Sequence, residues 1–397
     1  MWLKPVSLVL SMCNLALDRD NKYQLSVYTL TNAKQSHSMN TIETLSSKFK
    51  VTKVAKSRID ELDEDNIPFG KVFADHMFEM NYVDGKWSDM EIKPYGPMEL
   101  SPAISALHYG QSIFEGLKAY RNLEKETMVF RPYANATRMN ASAVRMCMPE
   151  IPKELFVEAV FELLKVDSQW IPNKAGTSLY IRPFMFATDN YLGVKPSETY
   201  KFLIFTCPVG SYYTEPVKVK IETMYSRACE GGVGRAKAAG NYAASLYPAR
   251  KAKEEGYHQL IWTDAKEHKY IEESGTMNMM FLVDDTLYTP TTSGTILPGI
   301  TRDSVLKIAQ SWGYEINESS IHVEELTRLL KAGKVKEAFG TGTAATIARI
   351  KSIGYDGVDY NLPSFAEDDF SIRILNFLED LKRGKEEDLW SWVYKVN

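Results

Sequence analysis

The stretch GGVGRAKAAGNY, residues 231–242, sets a single lysine among glycines and alanines. It lies between the alternating run VKVKIETMYSRA (217–228) and a helix-like segment from about residue 242 to 255. Small neighbours leave space around the Lys237 amine. A lysine in bulk solvent needs no such surroundings. One bonded to a flat cofactor needs close backbone approach and a partly dry site, which favours the neutral, nucleophilic amine. Lys237 is therefore a candidate Schiff-base residue, although a plain glycine-rich turn with a surface lysine fits the same letters. The segment is not a nucleotide loop: G-x-G-x-x-K lacks the third glycine of the dinucleotide fingerprint, and GxxxxGK[ST] occurs nowhere in the chain.

Outward from that lysine, the second half reads as strands at LIWTD (260–264), MMFLV (279–283) and TLYTP (286–290), with a helix predicted after Pro298-Gly299. Three of its segments suit ligands. EESGTMN (272–278) puts two acids at a strand end beside a small-residue turn, where a carboxylate could keep a pyridine nitrogen protonated; a solvated edge is the plain alternative. LPGITR (297–302) runs a turn into a helix start, leaving amide N–H groups for an anion such as phosphate. GTGTAA (340–345) fits either a tight turn, an anion nest of backbone N–H groups, or a weak G-x-G-x-x-A dinucleotide motif.

In the first half, FGKVFADHMFEMNYVDGKW (69–87) alternates apolar and polar residues and breaks at Asp84-Gly85, the signature of a hairpin. Two helices are expected next, the second over residues 153–170, followed by strands over 178–186 and 200–208. Arg131 ends an apolar strand, where burial demands an anionic partner. The reading gives an extension over 1–50, a small α/β domain over 51–210, a linker over 211–218 and a larger domain over 219–397. Residues 1–17 look like a weak signal peptide without an A-x-A site. The extension is expected to be disordered, or to result from a misassigned start with Met39 as the true first residue.

The composition excludes several classes. With 44% hydrophobic and 12% aromatic residues in 397, the chain can build a large core and is not a disordered polymer. A net charge of −4 with mixed signs offers no field for nucleic acid or anionic lipid. The four cysteines form no CxxC and no cluster with histidine, so no metal site is expected and reduced thiols in a cytoplasm are. No apolar run reaches the ~20 residues of a membrane span.

Taken together and in order, FGKVFADHM, LHYGQSIFEGLKAY, FRPYANATRM, TSLYIRP, CPVGSYY, GGVGRAKAAGNY, EESGTMN, LPGITRDS and GTGTAA resemble the branched-chain aminotransferases of the fold-type IV pyridoxal-phosphate enzymes. The resemblance spans the chain from about residue 69 to the end of the second domain. It implies an α+β, two-domain fold, with a small α/β domain and a larger β-barrel-like domain. It also implies a homodimer, pyridoxal 5′-phosphate as cofactor, and ping-pong amino transfer between Leu, Ile or Val and 2-oxoglutarate, with glutamate as the usual donor. Lys237 would bond to the cofactor and move the proton. Glu273 would meet the pyridine nitrogen, or Glu272 if the register is off by one. Arg131, the Ile300 and Thr301 amides and Thr343 would hold the phosphate, with Arg227 and Tyr242 flanking the ring. The Thr343 and Ala344 amides and the Tyr109 hydroxyl would receive the substrate carboxylate. Phe69, Phe114, Tyr180, Tyr212, Tyr242 and Thr276 would form an apolar wall, and Leu192 and Val194 would come from the partner subunit. Arg182 is the candidate for the glutamate γ-carboxylate, with a packed structural arginine as its alternative. The CxxC of mammalian relatives is missing after Thr343-Ala344. Rival functions are a D-amino-acid aminotransferase or an aminodeoxychorismate lyase on the same fold and, outside it, a nucleotide-dependent oxidoreductase or a silent binding protein.

Overall fold

A computed structural model describes residues 49–213 and 215–397, so the expectations for residues 1–48 lie outside the described residues. The first sheet takes its strands from β1 (Lys50–Val51), β2 (His76–Val83), β3 (Lys86–Pro94), β4 (Ser112–Phe114), β5 (Leu117–Arg121), β6 (Thr127–Phe130), β7 (Ser178–Ala187) and β8 (Tyr200–Val209). β2 and β3 form the expected hairpin. Asp84 and Gly85 both have positive φ, 51° and 76°, as a two-residue turn matching strand twist requires. The short helix α1 (Ser105–Tyr109) precedes β4. Two longer helices, α2 (Pro132–Arg145) and α3 (Lys153–Val166), follow β6. Phe156, Val160, Leu163 and Leu164 of α3 meet Met139 and Ala143 of α2 and Phe78, Met80 and Phe202 of the sheet in one buried core.

The second sheet comprises β9 (Val217–Ile221), β10 (Gln259–Thr263), β11 (Tyr270–Ser274), β12 (Met277–Val283), β13 (Thr286–Thr289), β14 (Glu315–Glu318), β15 (Ile321–His322), β16 (Val335–Gly342), β17 (Thr346–Tyr355) and β18 (Val358–Asn361). Following the pairings from β12 through β16, β17, β9, β10 and β11 leads back to β12, so these strands close a barrel and leave no edge between them. The closing hairpin, β11 to β12, turns on Gly275 and Thr276. Gly275 has φ +56°, and its hydrogen faces the Gln259 side chain, where a Cβ would collide. Alternation divides the apolar residues by strand face. Met279, Phe281 and Val283 pack with Val217, Val219 and Ile221, whereas Met280 and Leu282 meet helices α5 (Ile300–Ser311) and α7 (Phe370–Lys382). Between β9 and β10 runs α4 (Ala239–Glu254), and α6 (Val323–Lys331) precedes β16.

Three features differ from the sequence reading. The alternating run 217–228 is strand only to Ile221, because the Glu222 carboxylate accepts from the Met224 and Tyr225 amides and turns the chain. Beyond α7 the chain forms a strand that the sequence does not announce: β19 (Val393–Lys395) returns to pair with β6 in the first sheet. Gly340 and Gly342 lie within β16, and the residues after them enter β17. A dinucleotide fingerprint needs a helix there, so the oxidoreductase reading fails.

Candidate active site

Lys237 sits on the loop between β9 and α4, and its backbone is strapped from both sides. Its N–H donates to Ser142 Oγ of α2 at 2.9 Å, and its carbonyl accepts from the Phe114 amide of β4 at 3.1 Å. Ala238, the next residue, bridges to Ile113. The small residues around the lysine are thus what lets a loop of one sheet lie against a strand of the other. The amine donates to the Tyr242 hydroxyl at 2.8 Å and lies 4.6 Å from the centre of the Phe114 ring. Tyr242 belongs to the first turns of α4, so the helix start fixes the phenol relative to the amine.

The pair opens into a cavity of about 180 Å³. Phe69, Phe114, Tyr180, Arg182, Tyr212 and Thr276 line it, as do Ile300, Thr301, Thr343 and Ala344. The aromatic rings brace one another: Phe69 meets Tyr180 at 5.4 Å and Tyr212 at 5.2 Å edge to face, and Phe114 lies tilted 4.8 Å from Tyr242. Arg182 donates to the Tyr180 hydroxyl at 3.0 Å, its guanidinium lies over the Phe114 ring, and its Nε is buried without a hydrogen-bond partner.

Glu273 is 3% exposed. It accepts from the Leu297 amide at 2.6 Å and lies 3.3 Å from Arg227 Nε. Burial pushes its carboxyl above the ordinary carboxylate range, with Arg227, the Leu297 amide, Lys237 and Arg138 pulling the other way. Glu272 is also raised by burial, but it bonds Thr295 and feels Arg227 rather than Lys237. Neighbours on a strand point to opposite faces, and of the two it is Glu273 whose carboxyl feels the Lys237 charge.

Six expected residues are not on the cavity wall: Glu273, just described, and five more. Arg131 does not line this cavity. It pairs with Asp303 at 2.7 Å, donates to Ser304 Oγ at 2.7 Å and stacks on Trp392, pinning α5 from outside. Arg138, two helical turns further along α2, lines the cavity instead. It grips Glu115 with two bonds of 2.7 and 2.8 Å and donates to the Pro298 carbonyl beside the α5 start. Both arginines stand in FRPYANATRM, and only the helical register separates them. Arg227 backs Glu273 and donates to the Thr295 carbonyl rather than lining the cavity. Tyr109 is exposed on α1, and Leu192 and Val194 are exposed on the loop after β7. The Ile104 to Asn190 bridge ties that loop to the segment leading into α1. Sequence reasoning also missed Thr341, Ala345 and Tyr213 of the lining. Thr341 and Ala345 are strand and turn neighbours of chosen residues that barrel closure brings to the site, and Tyr213 follows Tyr212 on the segment leading into β9.

These residues fit pyridoxal 5′-phosphate. The first helical bond of α5 runs from the Asp303 amide to the Gly299 carbonyl, so the amides of Ile300 and Thr301 remain free for an anion with Arg138 beside them. Thr341 Oγ1 is buried on the cavity wall with no partner among the described residues. Glu273 offers a buried carboxylate, and Lys237 a primary amine next to a phenol.

A family model described as Amino-transferase class IV matches residues 112–353. The chain is 42% identical over 338 residues to branched-chain-amino-acid aminotransferase 2 of Bacillus subtilis (strain 168), a match covering 84% of this chain and 93% of that one. Among solved structures it resembles a branched-chain aminotransferase from Thermoproteus uzoniensis with norvaline, at 27% identity and TM-score 0.67 over 81% of this chain and 100% of that one. It also resembles the branched-chain amino acid aminotransferase from Escherichia coli, at 27% identity and TM-score 0.66 over 81% of this chain and 99% of that one. With the family match spanning most of both sheets and the close relatives aligned almost end to end, this chain belongs to the class IV aminotransferases, in the branched-chain-amino-acid aminotransferase family.

Proposed function

We propose that this protein transfers an amino group reversibly between leucine, isoleucine or valine and 2-oxoglutarate in two half-reactions, with pyridoxal 5′-phosphate as its cofactor. The observation that carries the reading is the Lys237 amine, held 2.8 Å from a phenol in an aromatic-walled cavity. When bound, the cofactor supplies an electron-withdrawing ring that lets a C–H bond beside an amine break heterolytically. Lys237 Nζ would carry the proton from the substrate Cα to the cofactor's aldehyde carbon in one half-reaction and from that carbon to the Cα of the keto acid in the other, and the Tyr242 hydroxyl holds that amine in line. Ile300, Thr301 and Arg138 hold the cofactor phosphate, and Glu273 keeps a positive ring nitrogen paired. The turn after β16 offers the Thr343 and Ala344 amides to the substrate carboxylate.

Phe69, Phe114, Tyr180 and Tyr212 reward an aliphatic side chain by about 0.8 kcal/mol per buried methylene and penalise an unpaired charge. Arg182, with its unpartnered Nε, serves the γ-carboxylate of glutamate. The working unit is a homodimer: exposed Leu107, Tyr109, Tyr191, Leu192 and Val194 support a second copy covering this face and completing the partner's cavity. The two sheets are the cores of two domains joined near residues 211–218. Free thiols at Cys147, Cys207 and Cys229 support a cytoplasmic setting. The test is a transamination panel with separate donors and acceptors. Activity with Leu, Ile and Val and 2-oxoglutarate is expected; turnover of D-alanine, or pyruvate release from aminodeoxychorismate, overturns the substrate assignment.

A further inference from the structure

We propose that Lys118 is a positioning residue that aims the turn between β16 and β17 at the substrate's α-carboxylate, an inference that rests on reading that turn as the carboxylate receiver. Lys118 lies on β5, 8% exposed, and lines no part of the Lys237 cavity. From behind the turn its Nζ donates to the Ala344 carbonyl at 2.8 Å. The peptide joining Ala344 to Ala345 is planar and trans, so its C=O and N–H point in opposite directions. Drawing that carbonyl toward Lys118 fixes the backbone of Ala344, whose own amide is assigned to the carboxylate, and Ala344 and Ala345 both line the cavity.

The turn is held at a second point. Thr346, a β-branched residue, sits at φ +59°, a strained conformation that persists where surroundings over-determine it. Its hydroxyl lies 3.1 Å from Lys382 Nζ and 3.4 Å from Glu379.

Behind the turn the charges do not balance. Lys118, Lys382 and Arg383 are buried there, with Glu379 partly buried beside Lys382 and Asp380 paired with Lys385 on the same face. Lys382 and Arg383 also lie against the Tyr120 ring. An ion cluster that only held the fold together would be stablest when neutral. Part of that surplus would be offset by the cofactor phosphate, since Lys118 and Lys382 line a small cavity with Ile300 and Thr301, and part by the substrate carboxylate on the far side of the turn. Burial, and next the Lys382 charge, bring the Lys118 amine down to about 8, with Glu379 and Cys207 opposing and Arg383 assisting.

The test uses the holoenzyme and two competitive inhibitors that differ only in the charged group, 4-methylpentanoate and 4-methylpentanamide. Lys118→Met should weaken inhibition by the carboxylate about tenfold, the worth of one charge-assisted hydrogen bond, and leave inhibition by the amide within about twofold. KM for leucine and for 2-oxoglutarate should rise with it, kcat should move less, and Lys118→Arg should recover most of the loss. Equal weakening of both inhibitors would make Lys118 merely structural and overturn the proposal. Should the methionine variant fail to fold, Lys118→Gln is judged by the same criterion. Arg182→Met separates the two readings. If that variant loses the preference for carboxylate over amide, the reading of the turn as receiver fails. If the preference survives in both Arg182→Met and Lys118→Met, only the role of Lys118 fails.

Discussion

Glu273 is a carboxylate that the fold holds at a cost. Burial raises its pKa, so between the ordinary carboxylate value and the raised one the folded chain binds more protons than the unfolded chain. Its contribution to stability is therefore complete at acid pH and is lost as pH rises through the folded value. Glu273→Gln removes that loss. The cofactor-stripped variant should melt above wild type near about pH 8, with the gap closing toward about pH 4, while the holoenzyme loses about 10²-fold or more in kcat. A variant that melts lower at both pH values would contradict this account. Lys237→Ala should abolish turnover, a loss of more than about 10²-fold; near-normal rates in that variant would end the assignment. The two arginines of FRPYANATRM can be separated by cofactor titration. Arg138→Lys, which breaks the two-bond grip on Glu115, should weaken pyridoxal phosphate binding about tenfold, whereas Arg131→Ala should lower the melting temperature and leave that affinity nearly unchanged.

At the scale of elements, the site depends on where α5 begins. Asn278 of β12 donates to the Leu297 carbonyl at 2.9 Å, and its Oδ1 occupies the place that a Cβ on Gly299 would take. The helix start can approach the barrel strand only because residue 299 has no side chain. Gly299→Ala should push α5 outward, destabilising the fold by about 1–3 kcal/mol and weakening cofactor affinity, both measurable by thermal melts with and without pyridoxal phosphate. Unchanged affinity in a folded Gly299→Ala protein would mean that the α5 amides do not hold the phosphate. The element boundaries themselves were largely legible: the Asp84-Gly85 hairpin, α3 and α5 follow from turn chemistry and helical spacing. β19 was not, because a short strand that completes another sheet's edge carries no periodicity of its own.

For the whole molecule, the exposed loops near Tyr109 and Leu192 present apolar side chains that one chain leaves uncovered; Leu192 is 63% and Val194 89% exposed. Leu192→Asp should shift the protein toward monomer in light scattering and cost about tenfold or more in kcat/KM, because a buried charge without a partner opposes association. A fully active monomer would refute the shared site.

The sequence by itself carried the chemistry: a lysine among small residues, acids at a strand end, an uncapped helix start and a run of aromatic positions, in an order that pointed to one family. Those are local signals, set by residue type and short-range spacing. The tertiary structure decided which of two nearby arginines faces the cavity, which of two adjacent glutamates feels the amine, and that Lys118 reaches a turn 226 residues away. Such choices depend on helix register, strand face and barrel closure. Each is settled by contacts between segments far apart in the chain, which no local pattern records.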